Sequence, residues 1–314
     1  MKLIIGSRDS QLAVTQTQWA IEELKKAHPN LEIEHKLIRT EGDKDQTTEL
    51  DKFANLGVFV KELQIALLKG EIDCAVHSLK DVPELQPEGL ALVCFPERED
   101  PKDVFISQGT PFIQLPQGAQ VGTGSPRRIM QLRKMRPDIK FVPIRGNLDT
   151  RIKKVTDGEL DGIILAAAGL NRLNQKENIT HSFSFDAMIP AIGQGCLALE
   201  SRDEDTETIS LLRSINHDLT EVAIRMEREF MTRVGGGCKV PMACHVYPYG
   251  DGFRMMAIMG DAKVDNMARI ERSGGLDEIE SLVEDITQDI LEDCKDKSIP
   301  IPKDLPDNYL TSNS

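Results

Sequence analysis

The sequence predicts an α/β protein with two α/β lobes and a smaller α+β domain toward its C-terminal end. Three observations predict it. The first forty residues alternate strand, helix and strand; the alternation restarts after Arg98; and from about Asn216 the chain turns to a long helix, a hairpin and an amphipathic helix. With 314 residues, 40% hydrophobic and 28% charged, the chain is long enough for two or three domains and too apolar to be disordered.

In the first lobe, residues Lys2 to Ile5 read as a strand, Ser10 to Ala27 as a helix and Leu31 to Ile38 as a second strand. Ser10 is placed to cap the helix, and Arg8 sits in the turn before it, where free N–H groups and the helix dipole favour an anion. Residues 40–57 are polar with little periodicity, which predicts a functional loop acting as a lid. A helical pattern resumes from Val58 to Leu68, and Ile72 to Val76 forms a short apolar strand ending in HSLKDVP. Loops at the carboxyl ends of strands bind ligands in open α/β sheets, so Lys80 and Asp81 become candidates.

In the second lobe, Asp103 to Ser107 and Gln120 to Gly122 read as strands, the latter leading into GTGSPRRIMQLRKM. There Ser125 caps a helix, Pro126 takes its first position, and Arg127 and Arg128 lie in its first turn, an arrangement suited to a carboxylate or phosphate. A strand from Ile139 to Ile144 runs into RGNLDTRIKK, and Gly162 to Ala168 reads as a buried strand followed by AGLNRL. The glycines of AIGQGCLALE, residues 191–200, suit a crossing back to the first lobe. The last region holds the long helix, a hairpin around YPYGDGF and a helix from Leu276 to Asp293.

Composition narrows the function. A net charge of −13 argues against a general nucleic-acid binder, yet residues 122–154 carry ten basic side chains against Asp138 and Asp149, a local excess of +8. An acidic chain that concentrates arginine in one segment binds a small polyanion there. No apolar run reaches the roughly 18 residues needed to span a bilayer, and the start does not read as a signal peptide, so a cytoplasmic protein is expected. The six cysteines show no CxxC pair, and disulfides and a metal site are not expected. No HExxH pair occurs among the histidines, and His77 reads as a satisfied strand-end side chain. There is no Walker A loop, and no GxGxxG follows the first strand.

One stretch resists a structural explanation. In MTRVGGGCKVPMACH, residues 231–245, three consecutive glycines stop at Cys238. Glycine loses the most conformational freedom on folding, so such a run implies a sharp bend or close approach by a bulky group. A buried, inert cysteine would not need that access. Two further classes are weighed on these features. One is a non-catalytic two-lobed binding protein for a small polycarboxylate, which would need neither the third domain nor GGGC. The other is a thiol-nucleophile enzyme, which would need a base near Cys238.

An ordered set of motifs carries a resemblance. Arg8 and Ser10 with LAxxQ are followed by GVFVKEL (57–63), AVHSLKDVP (75–83), EREDPKD (97–103), GTGSPRR (122–128), RGNLDTR (145–151), DGIILAAAGLNRL (161–173), PAIGQG (190–195) and GGGCKVP (235–241). Together, from about residue 4 to 250, they resemble the porphobilinogen deaminase (hydroxymethylbilane synthase) family. The chain departs from the family at Glu41, where arginine is usual, and at Leu56, where lysine is usual. Both departures remove positive charge from the expected lid.

The resemblance implies two periplasmic-binding-protein-like (type II) lobes with doubly wound mixed sheets, divided as residues 1–96 with 194–214 and residues 97–193, and a third domain from 215 to 314. It implies a monomeric transferase that joins four porphobilinogen molecules head to tail, releasing ammonia, on a dipyrromethane cofactor held by a thioether to Cys238. By resemblance, Asp81 is the catalytic aspartate and also touches the cofactor, while Lys80, Thr123, Ser125, Arg127, Arg128 and Arg151 hold the cofactor. Arg8, Ser10, Gln16, Arg145 and Arg172 hold the substrate and chain side groups. Each porphobilinogen carries an acetate and a propionate, which accounts for arginine clustering in an acidic protein.

Overall fold

The computed structural model describes residues 2–38, 60–235, 241–261 and 266–301. The expected lid, with Glu41 and Leu56, and Cys238, expected to carry the cofactor, lie outside the described residues. The chain runs β1 (Lys2–Arg8), α1 (Gln11–Ala27), β2 (Glu32–Ile38), α2 (Lys61–Leu68), β3 (Cys74–Ser78) and β4 (Leu90–Cys94). It continues through β5 (Asp103–Ile106), β6 (Gln120–Gly122), α3 (Pro126–Met135), β7 (Lys140–Val142), α4 (Leu148–Thr156), β8 (Gly162–Ala166), α5 (Ala167–Arg172) and β9 (His181–Ser182). Last come β10 (Leu197–Arg202), α6 (Thr206–Arg213), α7 (Asp218–Arg233), β11 (Met242–Tyr249), β12 (Gly252–Gly260), β13 (Met267–Gly275) and α8 (Ile279–Asp296). These elements form two compact units: Met1–Asp100 with Ala168–Asn174 and Gly193–Glu221, and Pro101–Ala167 with Gln175–Ile192 and Val222–Ser314.

The first unit is a five-stranded mixed sheet in the order β2-β1-β3-β10-β4. β1 runs parallel to β2 and β3, whereas β10 is antiparallel to both β3 and β4. One face is covered by α1, whose buried residues Gln16, Thr17, Ala20, Ile21 and Leu24 recur at helical spacing and put Ala20, Ile21 and Leu24 against Leu3, Ile5 and Val76. The other face takes Leu63 and Leu67 of α2 against Ile72 and Ala75. A side chain at Gly6 would collide with Ile72, its Cβ only 2.5 Å from the isoleucine Cδ1, so glycine is what lets this layer close.

The second unit holds a five-stranded mixed sheet, β7-β6-β8-β5-β9, and a three-stranded antiparallel sheet, β11-β12-β13. Phe105, Phe112 and Phe183 meet edge to face at centroid distances of 5.5 and 5.6 Å and anchor the first of these cores. The small sheet is covered on both faces. Phe230 of α7 and Leu282, Ile286 and Ile290 of α8 pack on Phe253, Met255 and Ala257, while Met130 of α3 packs with Met256 and Ile258 on the opposite face. Double coverage explains why β12 reads FRMMAIMG rather than alternating apolar with polar residues.

The expected strands and helices of the lobes appear within a few residues of their expected ends. The final helix starts later, at Ile279, because Leu276–Glu278 forms a single 3₁₀ turn in which Glu278 accepts from the Gly275 N–H. The strand expected to reach Ala168 stops at Ala166, where α5 begins.

Candidate functional site

In the first unit the chemistry-bearing residues gather at the carboxyl ends of β1 and β3. Arg8 is the last residue of β1. Ser10 caps α1, its Oγ accepting from the Ala13 N–H at 3.3 Å. Gln16, on the first turns of α1, donates from Nε2 to Ser78 Oγ at 2.9 Å and so ties the helix to the end of β3. Leu79–Asp81 then forms a 3₁₀ turn.

That turn is pinned from one side. Leu79 is buried, its N–H donates to the Cys196 carbonyl at 3.0 Å, and its side chain lies where a Cβ on Gly193 would stand, 2.8 Å away. The backbone at Gly193 has φ +71°, which glycine tolerates best. With Leu79 and Val82 inward, Lys80 and Asp81 are left exposed. An open pocket is lined by Arg8, Ser10, Gln16, His77, Ser78 and Asp81, among others. It presents a guanidinium, a helix start and one carboxylate to whatever enters.

Arg172, the last residue of α5, donates from Nη2 to the Gly195 carbonyl at 2.8 Å. Burial pushes its guanidinium below the ordinary value, and neighbouring Glu99 opposes that. Glu99 in turn accepts from Asn171 Nδ2 at 2.8 Å.

In the second unit the corresponding residues lie at the carboxyl ends of β6 and β7. Thr123 is buried, its N–H bonded to the Val142 carbonyl at 2.9 Å, and its Oγ1 accepts from the Ser125 N–H at 3.3 Å. Ser125 caps α3 with Pro126 in the first turn, and its Oγ accepts from Arg128 N at 3.4 Å. Both arginines of that turn grip one aspartate. Asp103, fully buried, accepts from Arg127 Nη1 at 2.7 Å and Nη2 at 3.2 Å, and from Arg128 Nε at 2.9 Å. Arg127 Nη1 also reaches the Ile189 carbonyl at 2.7 Å, and Arg128 Nη1 the Ile164 carbonyl at 2.9 Å. One carboxylate against two guanidinium groups leaves the corner positive.

Beyond β7, Gly146 takes φ +102° and packs so closely on Thr150 that a Cβ would sit 2.8 Å from it. This bend lets Asn147 cap α4 by accepting from Thr150 N at 2.9 Å, and Arg151 donates from Nε back to the Gly146 carbonyl at 2.8 Å. Arg145, just before the bend, has a buried Nη2 with no hydrogen-bond partner among the described residues, an atom set up to take a further acceptor.

The sequence-expected residues therefore fall into two groups. Arg8, Ser10, Gln16, Lys80, Asp81 and Arg172 are in the first unit, and Thr123, Ser125, Arg127, Arg128, Arg145 and Arg151 are in the second. Arg127, expected to hold the cofactor, is engaged by Asp103 and a backbone carbonyl. Sequence reading assigned no role to Asp103, Ser78 or Glu200. Asp103 was visible as an acidic residue opening an apolar strand and as the end of EREDPKD, but neither of its partners is near it in sequence.

Two family models match the chain: "Porphobilinogen deaminase, dipyromethane cofactor binding domain" over residues 3–210 and "Porphobilinogen deaminase, C-terminal domain" over residues 222–292. Curated relatives include a porphobilinogen deaminase of Geobacter sulfurreducens, 43% identical over 97% of this chain and 98% of the relative. A porphobilinogen deaminase of Trichlorobacter lovleyi is 46% identical over 87% of this chain and 88% of the relative. Among solved structures, the Bordetella pertussis BvgS periplasmic VFT2 domain has 16% identity and a TM-score of 0.40, covering 68% of this chain and 86% of that one. Both segments of the chain, and nearly its whole length, thus match one family: the chain belongs to the porphobilinogen deaminase family.

Proposed function

We propose that this chain is a transferase of tetrapyrrole biosynthesis that joins four porphobilinogen molecules head to tail, releases ammonia and yields a linear tetrapyrrole. The observation that carries this is the family match over both segments. The residues present fit a dipyrromethane cofactor: the Asp103 corner keeps an excess positive charge, as a site for a polycarboxylate requires. When bound, that group supplies the free pyrrole carbon onto which substrate units are added.

The protein's part is to hold and to polarise. Thr123, Ser125, Arg128, Arg151 and Lys80 hold cofactor carboxylates, and Arg127 acts there through Asp103. Arg8, Ser10, Gln16, Arg145 and Arg172 bind the acetate and propionate groups of substrate, bidentate contacts that guanidinium geometry favours. As the substrate's C–N bond breaks and ammonia leaves with the electron pair, positive charge develops on the pyrrole. The Asp81 carboxylate, exposed in the pocket, stabilises that charge. Cys238 carries the cofactor through a thioether, supported by the glycine run before it. The enzyme works as a cytoplasmic monomer of three domains, residues 1–96 with 194–214, 97–193 and 215–314; none of its described helices is long and apolar enough to cross a membrane.

Intact mass of the purified protein beside its Cys238→Ala variant tests the reading. An increment of two linked pyrrole units, present only with Cys238, is expected. An unmodified mass in both, persisting after incubation with porphobilinogen, overturns it.

A further inference from the structure

The pocket of the first unit contains an imidazole that the roles above do not use. His77 lies on β3, one residue before Ser78, and lines the pocket beside Arg8 and Asp81. Antiparallel pairing of β10 with β3 sets Ala198 opposite His77 and Glu200 opposite Ala75, so His77 and Glu200 share a sheet face. On that face Glu200, with no exposure to solvent, lies 3.0 Å from His77 Nε2 and accepts from Gln64 Nε2 of α2 at 2.9 Å. A carboxylate only accepts, so the proton of this contact sits on Nε2 and the ring is held in one orientation.

The other edge is different. Nδ1 makes no hydrogen bond among the described residues and is not among their fully buried polar atoms that lack a partner, and His77 lines the pocket. In the neutral ring, a proton on Nε2 makes Nδ1 an acceptor. The pocket is therefore two-sided. Arg8 and the capped start of α1 offer donors, whereas Asp81 and His77 Nδ1 offer acceptors.

We propose that His77 is a substrate-binding residue of this pocket, accepting an N–H of porphobilinogen at Nδ1, and that Glu200 is the positioning residue that aims it. The proposal rests on the function given above. A carboxylate of the substrate cannot bond to an acceptor nitrogen, so the match is to the ring N–H or the aminomethyl group. The buried Glu200 and Gln64 hold the ring in place before substrate arrives, which lowers the ordering cost of binding.

Two substitutions separate this from a purely structural tie. Glutamine carries an amide nitrogen where histidine has Nε2, and so keeps the bond to Glu200 but loses the pocket-side acceptor. Asparagine carries an amide oxygen where histidine has Nδ1, and does the reverse. Each holoenzyme is first checked by intact mass for cofactor, and kcat, KM and Tm are then measured with porphobilinogen. In His77→Gln, KM is expected to rise about tenfold, the scale of one hydrogen bond, with Tm close to that of the unsubstituted protein. An unchanged KM in His77→Gln overturns the proposal. Should His77→Gln fail to load cofactor, His77→Asn decides: KM within about threefold of the unsubstituted enzyme, with a lowered Tm, upholds it, and a tenfold rise overturns it. If the unsubstituted holoenzyme itself does not turn over porphobilinogen, the function fails, and the fault does not lie with His77.

Discussion

The Arg8–Ser10 corner of the first unit and the Ser125–Arg128 corner of the second begin alike: a parallel strand ends, a serine caps the next helix, and arginine stands beside the cap. They differ in what the arginine does. At the second corner Arg127 and Arg128 are drawn onto buried Asp103 and two carbonyls, so most of their donors are spent before any ligand arrives. At the first, Arg8 lines an open pocket with an exposed carboxylate nearby. One corner is rigid and charged, suited to a group that stays; the other is open and two-sided, suited to substrates that come and go. The same local motif yields either outcome, depending on whether a distant strand delivers an acid beneath it.

The contrast can be broken most sharply at Asp81. Replacing it by asparagine keeps the turn, which Leu79 and Val82 pin, but removes the charge proposed to act on the reacting pyrrole. Steady-state turnover is expected to fall by about 10²–10⁴ with little change in Tm; near-normal turnover would refute the assignment.

The next largest effect is expected on stability, at Asp103. Asp103→Ala strands two guanidinium groups in a site that already pushes Arg128 below its ordinary value through burial. Breaking a buried pair from one side costs ~3–5 kcal/mol, which chemical denaturation would read as a lowered midpoint. A midpoint equal to the parent's would show that Asp103 does not hold this corner together.

The smallest effect sharpens the same comparison with an ion pair near the surface. Arg136 donates to Asp138 from Nε at 2.7 Å and from Nη2 at 2.6 Å, and this pulls the Asp138 carboxyl down from 3.8 to about 2. A depressed carboxyl contributes stability that is complete above its unfolded value, about 4, and is lost as pH falls through its folded value. Stability curves of the parent and Asp138→Asn should therefore differ above pH 4 and converge toward pH 2. A gap that persists unchanged at pH 2 would mean that something other than this titration sets it.

Much of the site was legible locally. Ser10, Ser125 and Pro126 announce helix starts because capping and the fixed φ of proline act within a few residues. Lys80 and Asp81 were singled out because the end of an apolar strand in an α/β pattern is where ligands bind, and of the two Asp81 lines the pocket. The network behind them was not legible. Asp103 lies 24 residues from Arg127, and Glu200 lies 123 from His77, so no spacing rule reaches either pair. His77 was read as a satisfied side chain. Its Nε2 is, through Glu200, while Nδ1 has no hydrogen bond among the described residues.

By itself, then, the sequence determined the alternation of elements, the positions of the helix caps, the concentration of arginine in one segment and the ordered motifs that mark the family. Those properties depend on neighbours in the chain. Tertiary structure alone decided that Arg127 and Arg128 converge on buried Asp103, that β10 inserts antiparallel between β3 and β4, and that it brings a buried carboxylate behind His77. The physical reason is that a buried charge must find its partner across the sheet, and strand order decides which partner that is.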